Sequence, residues 1–136
     1  MSAGAIAKGV FLGGSMSKSI LCVDDSASMR QMVRMTLAGG GYAVTEAVDG
    51  ADGLAKAKAQ SYDLVLTDLN MPNLDGLGLI RGLRAMPGYK GVPIVFLTTE
   101  SQAEKKLEAK EAGATAWIVK PFQPDRLLAL VGKVLG

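Results

Sequence analysis

Five polar side chains in this sequence each follow closely on a short apolar run. Asp24 and Asp25 follow ILCV, Asp68 follows LVLT, Thr98 follows PIVFL and Lys120 follows AWIV. Three carboxylates, a hydroxyl and an ammonium form a set able to act on phosphorus. Carboxylates gathered in one place repel and raise one another's pKa values. A hard dication removes that cost, and a donor set of oxygens alone suits Mg2+. A carboxylate beside a metal and a lysine can attack phosphorus and become an acyl phosphate. Such transfer needs chiefly in-line positioning and neutralised oxygens. Taken singly, each residue also has a plainer use. Asp25 or Ser26 could cap a helix, an Asp at a strand end could form a turn, and Thr98 or Lys120 could be a turn residue or a solvated charge. The chemistry depends on their coming together.

The rest of the composition narrows the choice. The chain has no His, which removes Ser-His-Asp and Cys-His catalysis and every His-ligated metal. Its one Cys excludes a disulfide framework. Cys22 lies mid-strand and reads as a buried small hydrophobe. Fifteen Lys and Arg against 13 Asp and Glu leave a net charge of +2, which gives no overall drive toward nucleic acid or anionic membrane. With 136 residues and 49% of them hydrophobic, one folded domain is expected. No apolar run is long enough to span a bilayer.

These residues can meet only if the elements before them run side by side. Short β-rich runs cover Ile20–Val23, Tyr42–Ala47, Leu64–Thr67, Pro93–Leu97 and Ala116–Val119. Helical periods fill the gaps. Ser28–Ala38 sets Met29, Met32, Val33 and Leu37 on one face. Asp49–Gln60 is rich in Ala and Lys. Leu74–Met86 offers Leu79, Ile80, Leu83 and Met86. Gln102–Ala112 offers little beyond Ala103, Leu107 and Ala112. Pro124–Leu135 carries Leu127, Leu128, Val131, Val134 and Leu135. Gly39–Gly41 and Gly113 fall where helices end, and Asp75-Gly76 reads as a turn into the third helix. The first, third and fourth runs are apolar on both sides, as central parallel strands are. Five βα units with right-handed crossovers predict an α/β fold, a five-stranded doubly wound parallel sheet. Ligands of such sheets bind beyond the carboxyl ends of the strands, where all five polar residues stand. Asp49 follows the second strand, near the sheet edge. Residues 1–15 (MSAGAIAKGVFLGGS) continue neither period, and Met16 opens like a natural start. A leader or artificial extension over 1–15 and a domain over 16–136 are expected.

The runs ILCVDDSASMR, LVLTDLNMPNLDG, PIVFLTTES and AGATAWIVKPF, in this order and on these strand ends, resemble the receiver domain of bacterial response regulators. The resemblance covers residues 18–135 and is closest to the stand-alone, CheY-like members of chemotaxis. It implies the flavodoxin-like strand order 2-1-3-4-5 of a (βα)5 receiver. It implies that Asp68 is the phosphoacceptor, that Asp25 and Asp68 ligate Mg2+ directly and Asp24 through water, and that the backbone carbonyl of Asn70 is a further ligand. It makes Thr98 the switch hydroxyl, Lys120 the lysine that contacts the phosphoryl group, and Lys120-Pro121 a cis peptide. Asn70 and Glu100 match the two positions that tune loss of the phosphoryl group. One position departs from the pattern. Trp117 stands where these proteins usually carry Tyr, and an indole is larger and its N–H only donates.

The resemblance implies a cytoplasmic, monomeric phosphoacceptor protein that takes part in its own phosphorylation and dephosphorylation and is not otherwise an enzyme. A histidine kinase is the phosphodonor, the flagellar motor switch the target and a phosphatase a further partner, with no nucleic acid or membrane involved. With one domain expected, output must be a change of surface shape. In the fourth helix Glu104 and Glu108, and Lys106 and Lys110, are like-charged i,i+4 pairs, each costing roughly 0.2–0.5 kcal/mol. That helix, strand five and helix five then form the expected output face. Lys105, Lys106, Lys110, Trp117, Arg126 and Lys133 mark it and suit an acidic amphipathic peptide. A phosphate sink or relay receiver would share the same site. A small aspartyl-phosphate phosphatase would carry a second Asp where Asn70 stands. A flavin carrier would want a phosphate loop where Asp24 and Asp25 stand.

Overall fold

Strands apolar on both sides set the architecture. In the computed structural model, which describes residues 17–136, β1 (Ser19–Val23), β2 (Ala43–Ala47), β3 (Leu64–Thr67), β4 (Ile94–Thr98) and β5 (Ala116–Val119) pair in parallel in the order β2-β1-β3-β4-β5. The helices between and after them are α1 (Ala27–Gly39), α2 (Gly50–Ala59), α3 (Gly76–Arg84), α4 (Ala103–Glu111) and α5 (Pro124–Leu135). The expected leader over 1–15 lies outside the described residues. Successive strand residues point to opposite faces, and the core divides accordingly. Leu21, Val23, Val65 and Phe96 meet Leu79, Ile80 and Leu83 of α3, with Ala57 of α2 and Ala109 of α4 on the same side. Ile20, Cys22, Leu66 and Val95 meet Val33 and Leu37 of α1 and Leu127 and Val131 of α5. Full burial of each large aliphatic side chain is worth roughly 1.5–3 kcal/mol, so both layers are firmly held.

Local chemistry sets the boundaries. Ser26 is the N-cap of α1, its Oγ accepting from Met29 N–H at 3.3 Å. Asp75 caps α3 by accepting from Gly78 N–H at 2.8 Å, which starts that helix two residues later than Leu74. A 3-10 turn over Pro87–Tyr89 ends the region, since Pro87 supplies no N–H and disfavours helix at the residue before it. Gly41 and Gly113, both at positive φ, follow α1 and α4.

Two helix faces differ from expectation. Met32 is 53% exposed, and only Val33 and Leu37 of α1 are buried. One residue along a helix turns the side chain by about 100°, so Met32 falls outside an arc centred on Val33 and Leu37. In α4, Leu107 is 56% exposed and Ala109 is the buried residue. A small side chain there seats the helix with little apolar area. No helix among the described residues is long and apolar enough to cross a membrane.

Candidate active site

Parallel pairing brings the strand ends together. Asp24 N–H donates to the Ala47 carbonyl at 3.1 Å and Asp68 N–H to the Val23 carbonyl at 2.9 Å. The turn after β1 and the turn after β3 are therefore adjacent. Asp24, Asp25 and Asp68 each offer an oxygen within 4.8 Å of the others. Asp24 is buried, Asp68 half-buried and Asp25 exposed. Lys120 reaches across from the end of β5. Its Nζ donates to Asp24 Oδ2 at 2.6 Å and to Asp68 Oδ2 at 3.0 Å. The remaining oxygens of both carboxylates accept backbone N–H groups, Asp24 Oδ1 from Ser26 at 2.9 Å and Asp68 Oδ1 from Leu69 at 2.6 Å. Rotation of either carboxylate would break one of these bonds, so the pair is fixed in orientation.

The electrostatics follow from this packing. Burial works against the Lys120 ammonium, but the hydrogen bonds and charges of Asp24 and Asp68 outweigh it and hold the group above the ordinary lysine value. The ammonium offsets one of three negative charges. A dication would offset the other two, and an all-oxygen donor set of this spacing fits a hard ion such as Mg2+. Below the site, burial first, and then the negative charges of Asp24 and Glu46, push the Cys22 thiol up to about 12.

The neighbouring loop carries the other expected residues. Thr98 is fully buried at the end of β4, and its Oγ1 accepts from Glu100 N–H at 3.2 Å. Lys120 N–H donates to the Thr98 carbonyl at 2.8 Å, which ties the β4 and β5 ends together. The Lys120-Pro121 peptide is cis. The Trp117 ring stacks on Phe96 with centroids 5.4 Å apart. Its Nε1 donates to the Glu100 carbonyl at 3.1 Å. One residue, Glu100, is thus bonded at its N–H by the Thr98 hydroxyl and at its carbonyl by the indole. Asn70 is exposed, two residues beyond Asp68.

The basic face is only partly gathered. Lys106, Lys110 and Trp117 line a groove of about 270 Å³ between α4 and β5. Trp117 and Arg126 line a second, of about 500 Å³, on the α5 side of β5. Lys105 and Lys133 line neither; Lys105 instead lies 3.7 Å from Glu108.

Five residues that tie the surroundings of the site together were not among the expected site residues. Arg30 Nη1 donates to the Asp24 carbonyl at 2.6 Å while its Nε meets Glu46 at 3.1 Å, and Arg34 holds the other Glu46 oxygen at 2.9 Å. Asp49 bonds Asn73 across two loops. The only signal for the Glu46 ties is the adjacency of β2 and β1, which sets Glu46 opposite Cys22. Nothing local in the sequence marks them.

The comparisons agree with this geometry. The family model for the response regulator receiver domain matches residues 20–132. The transcriptional regulatory protein ResD of Bacillus subtilis is 39% identical over 116 residues, covering 85% of this chain and 47% of ResD, so the chain spans about half the length of that relative. The solved structure of chemotaxis protein CheY4 of Vibrio cholerae is 46% identical with a TM-score of 0.83, over 87% of this chain and 98% of that one. A receiver domain of the sensor histidine kinase PA1611 of Pseudomonas aeruginosa, solved with a magnesium ion coordinated in its active site cleft, is 30% identical with a TM-score of 0.82, over 88% of this chain and 98% of that one. With its strand order, acidic cluster and Lys120 bridge in place, the chain belongs to the response regulator receiver domain family.

Proposed function

We propose that this receiver is a switch of the chemotaxis type, in which Asp68 accepts a phosphoryl group from a histidine kinase and a binding face changes in response. The observation that carries this reading is the Lys120 ammonium set between Asp24 and Asp68. Asp24, Asp25, Asp68 and the Asn70 carbonyl would hold Mg2+, as their oxygen-only chemistry suits it. When bound, that ion supplies positive charge that neutralises phosphoryl oxygens. The chain's own residues supply the rest. An Asp68 oxygen forms the new bond to phosphorus, and the bond from phosphorus to the donor's imidazole nitrogen breaks, the nitrogen keeping the electron pair. Leu69 N–H holds the second Asp68 oxygen during the attack. Lys120 pairs with the phosphoryl oxygens in place of the Asp68 oxygen it now holds. Asn70 and Glu100 flank the site and tune how readily water removes the group.

Thr98 connects the site to the surface. A Thr98 hydroxyl that swings to donate to the phosphoryl group carries its oxygen away from Glu100 N–H, and the Glu100 carbonyl is the one Trp117 grips. Movement of this loop therefore reaches the indole, which borders both grooves beside β5. The output face is α4, β5 and α5. Its target is the flagellar motor switch or a similar partner with an acidic amphipathic segment, in the cytoplasm, with this chain acting as a monomer. Residues 16–136 form the receiver.

Incubation with acetyl phosphate and Mg2+ should label the protein on Asp68, and Asp68→Asn should abolish the label. Label persisting at that position after the substitution would refute the assignment. The labelled protein should then capture the motor switch protein more strongly than the unlabelled one. Equal, weak capture of both would instead mark a phosphate sink or relay.

A further inference from the structure

The loop from Asp68 to Gly76 carries two groups of the proposed centre, the Asp68 carboxylate and the Asn70 carbonyl. Its far end is fastened outside that centre. Asp49, the buried N-cap of α2, accepts from Asp52 N–H at 2.8 Å through Oδ1 and from Asn73 Nδ2 at 2.6 Å through Oδ2. Asn73 is the one non-glycine among the described residues at positive φ, 69°. Asn tolerates the left-handed region better than most residues, but a side chain there still costs energy. Such a conformation persists where the surroundings over-determine it. The backbone beside it repeats the tie. Gly50 N–H donates to the Leu74 carbonyl at 3.0 Å. The approach is so close that a Cβ on Gly50 would stand 2.0 Å from that oxygen. At the near end, Gly76 N–H donates to the Leu69 carbonyl at 2.8 Å. Asn70, Met71 and Pro72 lie between the two fastenings, Met71 packed against the core and the Pro72 carbonyl accepting from Leu74 N–H at 2.7 Å.

We propose that Asp49 and Asn73 are a positioning pair for the cation and phosphoacceptor centre. They touch neither the ion nor the phosphoryl group. They act through the loop, fixing where the Asn70 carbonyl stands relative to Asp68. The role rests on the reading of Asp24, Asp25 and Asp68 as a Mg2+ centre. Outer partners of this kind commonly decide whether first ligands are oriented for a metal, and their loss costs roughly 10–100-fold in affinity.

Asn73→Gly separates positioning from simple structural support. Glycine accepts φ 69° without penalty, so the turn is kept while the carboxamide tie is lost. The parent protein and the variant are titrated with Mg2+ by calorimetry, and amide hydrogen exchange is followed without metal. The melting temperature should hold close to the parent's, while the dissociation constant for Mg2+ rises about tenfold and the Asn70 and Met71 amides exchange faster. Asp49→Ala should weaken Mg2+ to a similar degree, and the double variant should lose little more than either single one. An Asn73→Gly protein with the parent's affinity and exchange rates would overturn the proposal. If the parent itself fails to bind Mg2+, the metal reading falls and the pair's role falls with it, a result distinct from an unchanged variant.

Discussion

Cys22 lies on β1 and Asp24 two residues further on, just past the strand's end, where its charge acts on the thiol. The consequence is chemical. A thiol pushed up to about 12 stays protonated in the folded chain, whereas the unfolded thiol ionises near ~8.5. The sign follows directly. Below that lower value both states hold the proton and stability is unaffected. As pH rises from there toward about 12, only the unfolded chain releases it, and folding weakens. Urea melts at pH 7.5 and ~10 should therefore show the parent losing more stability than Cys22→Ala between the two, in the basic window that the shifted thiol defines. A constant gap would mean that Cys22 does not retain its proton. In the same folded protein, Cys22 should resist a water-soluble disulfide reagent at neutral pH, since it is both buried and uncharged.

Among the elements, α4 differs from the other helices. Like α5 it lacks a side-chain cap, but only Ala109 is buried, and its ion pairs to Glu108 are long, 3.7 Å from Lys105 and 3.9 Å from Arg81. Exposed pairs of that kind add ~0–1 kcal/mol, against which the like-charged pairs subtract. Amides of α4 should exchange faster than those of α1, α3 or α5, and Lys106→Glu, which turns a repulsive pair attractive, should slow them. Equal protection across the helices would show that α4 is as firmly held as the rest. The same element marks where sequence is silent. Its helical character is readable from composition and from Gly113, but the arc that faces the sheet is not, because a periodic pattern with few apolar residues fits several rotations. Leu107 and Ala109 therefore exchanged places, as Met32 left the buried arc of α1. The central strands were legible because β1, β3 and β4 are apolar on both sides. The strand-end residues were legible because parallel strands deliver them to one edge. Arg30 and the Asp49–Asn73 tie were not, because each joins segments that only the folded sheet brings together.

Over the whole molecule, stability and ligand binding are linked through the carboxylate cluster. An ion that binds the folded chain and not the unfolded one stabilises it by mass action, about 1.4 kcal/mol when its concentration is ten times the dissociation constant. Millimolar Mg2+ should therefore raise the melting temperature by several degrees, with Asp25→Ala blunting the rise. No shift at millimolar Mg2+ would remove the cluster as a cation site. The parallel sheet has one more consequence. Since every strand ends at the Asp68 edge and every helix returns from it, the start of β1 and the end of α5 lie at the opposite pole. A fluorescent reporter or a second protein joined after α5 therefore begins at the pole away from the chemistry, which makes this scaffold a ready module for building signalling sensors.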